Sequence, residues 1–162
     1  IKNVIIKTVI KYVDILPANL DLAAAEGKLI SLGITSGLNT LKQYLTKINN
    51  DYDYIIIDCP PSLGFLSLNA LTAANSVLIP VQCEYFAMEA VAQILAAINN
   101  VRMSTNPQLD ILGFLLTMYD NRTKLSTMIT SEVTGTFKEK NFRNTNSKKC
   151  FSRWMFSIRK TS

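Results

Sequence analysis

Three nearly uninterrupted apolar runs, Tyr54–Asp58, Ser76–Val81 and Ile111–Met118, are separated by segments long enough to form a helix each. Strands buried on both faces of a parallel sheet read this way, because helices cover both sides and leave no solvent face for polar residues. A shorter β-branched run, Val13–Leu16, precedes them. Helices are expected at about Leu20–Leu32, Gly37–Ile48, Ser67–Ala74, Ala87–Arg102 and Ser126–Phe137. This alternation predicts an α/β fold, a mostly parallel sheet flanked by helices, since parallel neighbours require crossover connections.

Composition narrows the chemistry. The 162 residues contain no histidine, so Ser-His and Cys-His nucleophile pairs are excluded within this chain. Cys59, Cys83 and Cys150 are odd in number and widely spaced, which argues against a disulfide scaffold or zinc module and fits a reducing cytoplasm. The uncharged stretch Cys59–Cys83 is long enough for a bilayer, but Pro60, Pro61 and Pro80 and several polar residues interrupt it, so no membrane span is expected. The opening segment carries Lys2, Lys7 and Lys11 and lacks a small-residue cleavage site, unlike a secretory signal. It begins with Ile, which suggests a trimmed start.

The formal charge of +5 is unevenly distributed. Residues 1–137 carry nine Lys/Arg against eleven Asp/Glu, whereas residues 138–162 carry eight against one. The basicity belongs to the tail, and tail-borne nucleic-acid contact is one use for it. That tail shows neither a helical stripe nor regular alternation and is expected to be disordered or a poorly packed helix.

Asp58 is the leading candidate for chemistry. It closes an apolar strand and enters a loop stiffened by Pro60 and Pro61, with Gly64 where the chain turns back. Ligands of open α/β sheets gather beyond the carboxyl ends of strands, where Asp58, Gln82 and the Thr117–Asp120 run all fall, so they are expected at one sheet edge. A carboxylate there suits magnesium, which keeps several waters and takes its inner ligands from phosphates. The competing reading of Asp58 is a turn cap.

The segments "YDYIIIDCPPSLG", "NALTAANSVLIPVQCEYFAMEAV" and "GFLLTMYDNRTKLS", with "VDILPANLDLAAAE" before them, resemble successive motifs of the ParA/Soj-type partition ATPases. These are P-loop proteins of the deviant Walker-A class. The resemblance covers about Ile5 to Phe137 and implies an incomplete P-loop NTPase-like (Rossmann-like) sheet. By that resemblance, Asp58 matches the Walker B aspartate that holds magnesium through water. Thr117, Met118 and Asp120 lie in the segment bordering the nucleotide base, and Arg122 matches a basic residue used for nonspecific DNA binding. ATP, Mg²⁺, nonspecific DNA, a ParB-like partner and homodimerisation are the implied ligands and partners, in a cytoplasmic, nucleoid-associated setting.

The sequence departs from the family twice. No "KGGVGKTT"-like phosphate loop occurs in residues 1–162, so catalysis by this chain is expected to be absent. After Lys138 the family pattern ends, which suggests a shifted reading frame and divides the chain into a ParA-like part, 1–137, and a basic tail, 138–162. The alternatives are a non-catalytic interaction or DNA-binding module and a MinD-like division-site ATPase.

Overall fold

The three long apolar runs form strands of one sheet, whereas the Val13–Leu16 run supplies a strand to a separate two-stranded ribbon. In the computed structural model, which describes residues 1–60, 62–84, 87–118, 122–136, 141–143 and 155–160, strands β1 (Ile6–Lys7) and β2 (Asp14–Ile15) pair as a small antiparallel ribbon. Helices α1 (Asp21–Ser31), α2 (Ile34–Leu38) and α3 (Thr40–Thr46) follow. The main sheet then alternates with helices: β3 (Tyr54–Cys59), α4 (Phe65–Ala73), β4 (Ser76–Gln82), α5 (Ala87–Ser104), β5 (Asp110–Thr117) and α6 (Lys124–Thr136). Two tail strands complete it, β6 (Asn141–Arg143) and β7 (Met155–Lys160).

The strand order is β3-β7-β4-β5-β6. β4, β5 and β6 are mutually parallel, and β7 runs antiparallel to both β3 and β4. β3 and β4 therefore point the same way with an inverted strand between them. This corrects the expectation of a disordered or helical tail for the described residues 141–143 and 155–160, which are strands hydrogen-bonded into the sheet. It also refines the parallel reading, since four of the five strands share one direction and the exception lies inside the sheet.

Pro80 shows how the sequence accommodates that arrangement. A proline lacks the N–H that an interior strand donates, so it is normally confined to edges and irregularities. Here the β4–β7 ladder covers only Ser76–Leu78 and ends two residues before Pro80, while the β5 ladder continues through Pro80 opposite Leu115.

The main core lies between α4, α5 and the middle of the sheet. Leu71, Val77, Ile79, Ile98 and Phe114 are fully buried, joined by Cys59, Val81, Leu116 and Ile129. A smaller cluster of Leu45, Ile48 and Ala73 packs against Ile1, Ile5, Ile55 and Ile57. β3 is not buried on both faces as its composition implied. Tyr54 and Ile56 are 61% and 67% exposed, because β3 is the edge strand among the described residues and one of its faces is uncovered.

The helix expected over Gly37–Ile48 is divided instead. In an unbroken helix the Leu41 N–H would bond the Gly37 carbonyl. The buried side chain of Asn69, from α4, occupies that link: its Nδ2 donates to the Gly37 carbonyl at 2.8 Å and its Oδ1 accepts from the Leu41 N–H at 3.2 Å. A side chain inserted into the helical ladder separates α2 from α3.

Gly37 itself permits close helix contact. A Cβ there would sit on the carbonyl oxygen of Leu29, inside any allowed contact, and 3.0 Å from Phe65 Cζ. Gly37→Ala is therefore expected to destabilise the fold by about 1–3 kcal/mol, the usual cost of overpacking, by forcing α1 away from α2. Chemical denaturation measures this, and an unchanged midpoint would show that the two helices are free to separate.

Candidate functional site

The carboxyl ends of β3, β4 and β5 lie at one end of the sheet, and with them Asp58, Gln82 and Thr117. Their heights differ. Gln82 is directly opposite Thr117, and the Cys83 N–H donates to the Thr117 carbonyl at 3.2 Å. Asp58 is level with Phe156 of β7, which is level with Leu78, so by register Asp58 stops four residues short of Gln82. At the rise of an extended chain that offset is roughly 13 Å along the strand. The two parts share one end of the sheet, with Asp58 set deeper and two strands away, β7 lying between β3 and β4.

Asp58 projects from the same side of β3 as Tyr54 and Ile56, the uncovered side. Although exposed to solvent, its carboxyl is held above the ordinary carboxylate range by partial desolvation. Desolvation disfavours the anion, and a nearby cation would reverse that shift. Among the described residues no group of three or more His, Cys, Asp or Glu could enclose a metal ion. One carboxylate suits a hydrated magnesium ion carried on phosphates better than a cation caged by protein alone.

The loop beyond Asp58 is fixed at several points. Cys59 is buried, the Ser67 hydroxyl donates to the Ser62 carbonyl at 2.6 Å, and the Phe65 N–H donates to Glu26 Oε1 at 2.6 Å. Glu26, on α1, thus serves the N-terminus of α4, a position where a negative charge is favoured. Gly64 precedes that helix, and a Cβ there would come 3.1 Å from the same Glu26 oxygen. Sequence reasoning did not find Glu26, because nothing local marks an acceptor 39 residues away.

At β5 the Thr117 side chain is buried and donates to the Val81 carbonyl at 3.4 Å, so its hydroxyl ties β5 to β4. Met118 follows with φ of 57°, a left-handed conformation uncommon for a non-glycine residue, and is 42% exposed. Such a backbone turns the chain sharply as it leaves the sheet. Asp120 lies outside the described residues.

Arg122 stands at the start of α6 and, with Thr123, Lys124, Thr127, Met128 and Ser131, lines an open groove of about 470 Å³. Thr123 accepts the Ser126 N–H at 3.3 Å as an N-terminal cap, and its hydroxyl also meets the Ser126 hydroxyl at 2.8 Å. The groove does not include Asp58 or Thr117. The candidate residues therefore form three neighbouring parts rather than one pocket: Asp58, the Gln82–Met118 strand ends, and the basic entrance to α6.

Comparison with known proteins bears on these parts. A family described as an AAA domain matches residues 1–111. The chain is 44% identical over 142 residues to the chromosome partitioning protein ParA of Myxococcus xanthus, covering 88% of this chain and 50% of that protein. It is 45% identical over 141 residues to the sporulation initiation inhibitor protein Soj of Bacillus subtilis, covering 87% and 55%. It thus spans about half the length of these relatives.

Solved structures agree on the architecture. A protein described as cobyrinic acid a,c-diamide synthase from Mycobacterium smegmatis, with bound ADP and magnesium, matches with a TM-score of 0.75 at 43% identity, over 85% of this chain and 55% of that one. McdA from Cyanothece, in a complex with ATP, shares the fold with a TM-score of 0.82 at 20% identity, over 91% and 58%. With its sheet of largely co-directional strands and this extent of identity, the chain belongs to the AAA-domain family in its ParA/Soj-type partition ATPase branch.

Proposed function

We propose that this chain carries the magnesium-side and base-side portions of a ParA-type nucleotide site without the machinery to hydrolyse ATP by itself. The observation that carries this reading is the co-location of Asp58, Gln82 and Thr117 at one end of the sheet in a chain with ParA relatives at 44–45% identity. Asp58 would hold magnesium through water, with Thr117, Met118 and Asp120 beside the base. A solved relative with ADP and magnesium supports the choice of ligand. Phosphoryl transfer depends on cradling the phosphates with backbone amides and lysine, and residues 1–162 contain no glycine-rich phosphate loop.

DNA is the second ligand in this reading. Residues 1–137 form the ParA-like part and are net acidic, whereas the basic tail of residues 138–162 and Arg122 supply the cations for nonspecific phosphate contact. A ParB-like partner and a nucleoid setting in the cytoplasm belong to the same reading, supported by the similarity to partition proteins. No helix of the described residues is long and apolar enough to cross a membrane.

Two assays on the full chain test the proposal. ATP turnover is expected to stay far below the roughly 1 per second of an ordinary phosphoryl-transfer enzyme, and a rate of that order that vanished in Asp58→Ala would overturn it. DNA retention should fall by about 0.7–0.9 log units per log unit of salt for each phosphate neutralised. Lys148→Gln with Lys149→Gln should reduce that slope more than Arg122→Ala does. Charge substitutions are the right probe because cutting the chain at residue 137 would also remove β6 and β7.

A further inference from the structure

Helix α4 follows the loop that leaves Asp58, and its two ends are held in different ways. The C-terminal end is pinned to the end of α5: the buried Asn106 Nδ2 donates to the Leu71 and Ala74 carbonyls at 3.0 and 2.7 Å, and the Thr72 and Thr105 hydroxyls lie 2.8 Å apart. The N-terminal end begins at Phe65, seven residues after Asp58, and is docked on α1 through the Phe65 N–H and Glu26 Oε1. Between the two ends, the Asn69 amide reaches into the break between α2 and α3. Phe65 touches the same place, its Cζ lying 3.0 Å from where a Cβ on Gly37 would stand.

The break is a small one. Helical hydrogen bonds run up to it from both sides, from the Asn39 N–H to the Thr35 carbonyl at 3.2 Å and from the Gln43 N–H to the Asn39 carbonyl at 3.1 Å. Asn39, between the two helices, has φ of −86° and ψ of −3°, already in the right-handed helical region. The Leu41-to-Gly37 link is the one that the Asn69 amide diverts. Withdrawing the amide lets that link close without a large backbone rotation, so the segment has two arrangements that differ by one inserted side chain. Joining would re-aim α3, whose Leu41 and Leu45 share a cluster with Ile55 and Ile57 of β3, the strand that carries Asp58.

We propose that α4 is a lever that couples the loop leaving Asp58 to the α2–α3 break. With Phe65 docked on Glu26, Asn69 is inserted and the helices are separate, as in this structure. When the loop engages a ligand at Asp58 and draws Phe65 away from Glu26, α4 swings about its Asn106 end, Asn69 withdraws, and α2 joins α3. The break thereby responds to occupancy of Asp58 and, by reciprocity, biases it. The identity of that ligand as a magnesium nucleotide rests on the function proposed above; the lever itself does not.

Exchange of the Asn69 and Asn106 side-chain amide protons, read by NMR on the full chain, tests the lever; the Asn69 signals are assigned by their loss in Asn69→Ala. Glu26→Ala removes the dock and should speed Asn69 exchange at least about 10-fold, with Asn106 staying within about 2-fold of the parent. Glu26→Gln keeps an acceptor oxygen and should restore the parent rate. Gly64→Ala, whose Cβ would come 3.1 Å from Glu26 Oε1, should shift Asn69 in the same direction and gives the reading if Glu26→Ala does not fold. Unchanged Asn69 exchange overturns the proposal. So does equal acceleration of Asn106, the pattern of a helix that merely loosens when its cap is lost. Calorimetric titration with magnesium and ADP reads the reciprocal effect: Asn69→Ala, free to join α2 to α3, should bind at least about 5-fold more tightly than the parent. Equal or weaker binding by the variant would show that the break does not communicate with Asp58 and would overturn the coupling. If neither protein binds, the magnesium-nucleotide reading of Asp58 fails, and the exchange rates alone decide the lever.

Discussion

Replacing Ser157 with proline is expected to cost about 3 kcal/mol or more, a large share of the roughly 5–15 kcal/mol that stabilises an ordinary domain. Ser157 is flanked on both sides, opposite Ile57 of β3 and Val77 of β4. Every backbone N–H of a strand with two neighbours points at one of them, so proline there removes a ladder hydrogen bond and brings its ring against the adjoining backbone. The consequence is concentrated on β3. Among the described residues β7 is the only strand that pairs with β3, and the Asp58 backbone is held opposite Phe156. The variant should therefore show a lowered denaturation midpoint together with early proteolytic access around Tyr54–Cys59. A midpoint equal to that of the parent would show that β7 does not hold β3 in the sheet.

That strand also marks where sequence reading reached its limit. β3, β4 and β5 were legible as strands because each is a nearly uninterrupted apolar run, but the exposure of Tyr54 and Ile56 on β3 was not, since it depends on what covers that edge of the sheet. "MFSIRK", residues 155–160, ends in two basic residues and has no flanking turn signal. It is a strand because there is a position between β3 and β4 for it to fill, and that information is tertiary.

The candidate site divides in the same way. Strand ends placed Asp58, Gln82 and Thr117 at one end of the sheet, since direction follows from the crossover helices. Their relative height did not follow, because β7 lies between β3 and β4 and sets the offset. The left-handed backbone at Met118 and the Glu26 cap on α4 were equally hidden, one depending on the exit from the sheet and the other on a contact across 39 residues.

Asn69→Asp should produce the other large effect, about 3–5 kcal/mol near neutral pH, the cost of leaving a buried charge without a partner. The side chain at this position is only 3% exposed and bridges the Gly37 carbonyl and the Leu41 N–H. Aspartate keeps the acceptor for Leu41 but loses the Nδ2 donor, placing an anionic oxygen against the Gly37 carbonyl. Burial and that carbonyl both raise the pKa of the introduced carboxyl in the folded state above its unfolded value of about 3.9. The sign follows from linkage. Below the unfolded pKa both states are protonated and the charge penalty is absent; as pH rises toward the folded pKa the unfolded state ionises first and gains stability, and above it the penalty is constant. Urea unfolding at pH 4 and pH 7 should therefore show a deficit that widens with pH. Asn69→Ala should be milder than Asn69→Asp at pH 7, since without the inserted amide the Leu41 N–H can close directly onto the Gly37 carbonyl and join α2 to α3. A deficit independent of pH, or an alanine variant worse than the aspartate one at pH 7, would show that the amide does not act as the bridge between the two helices.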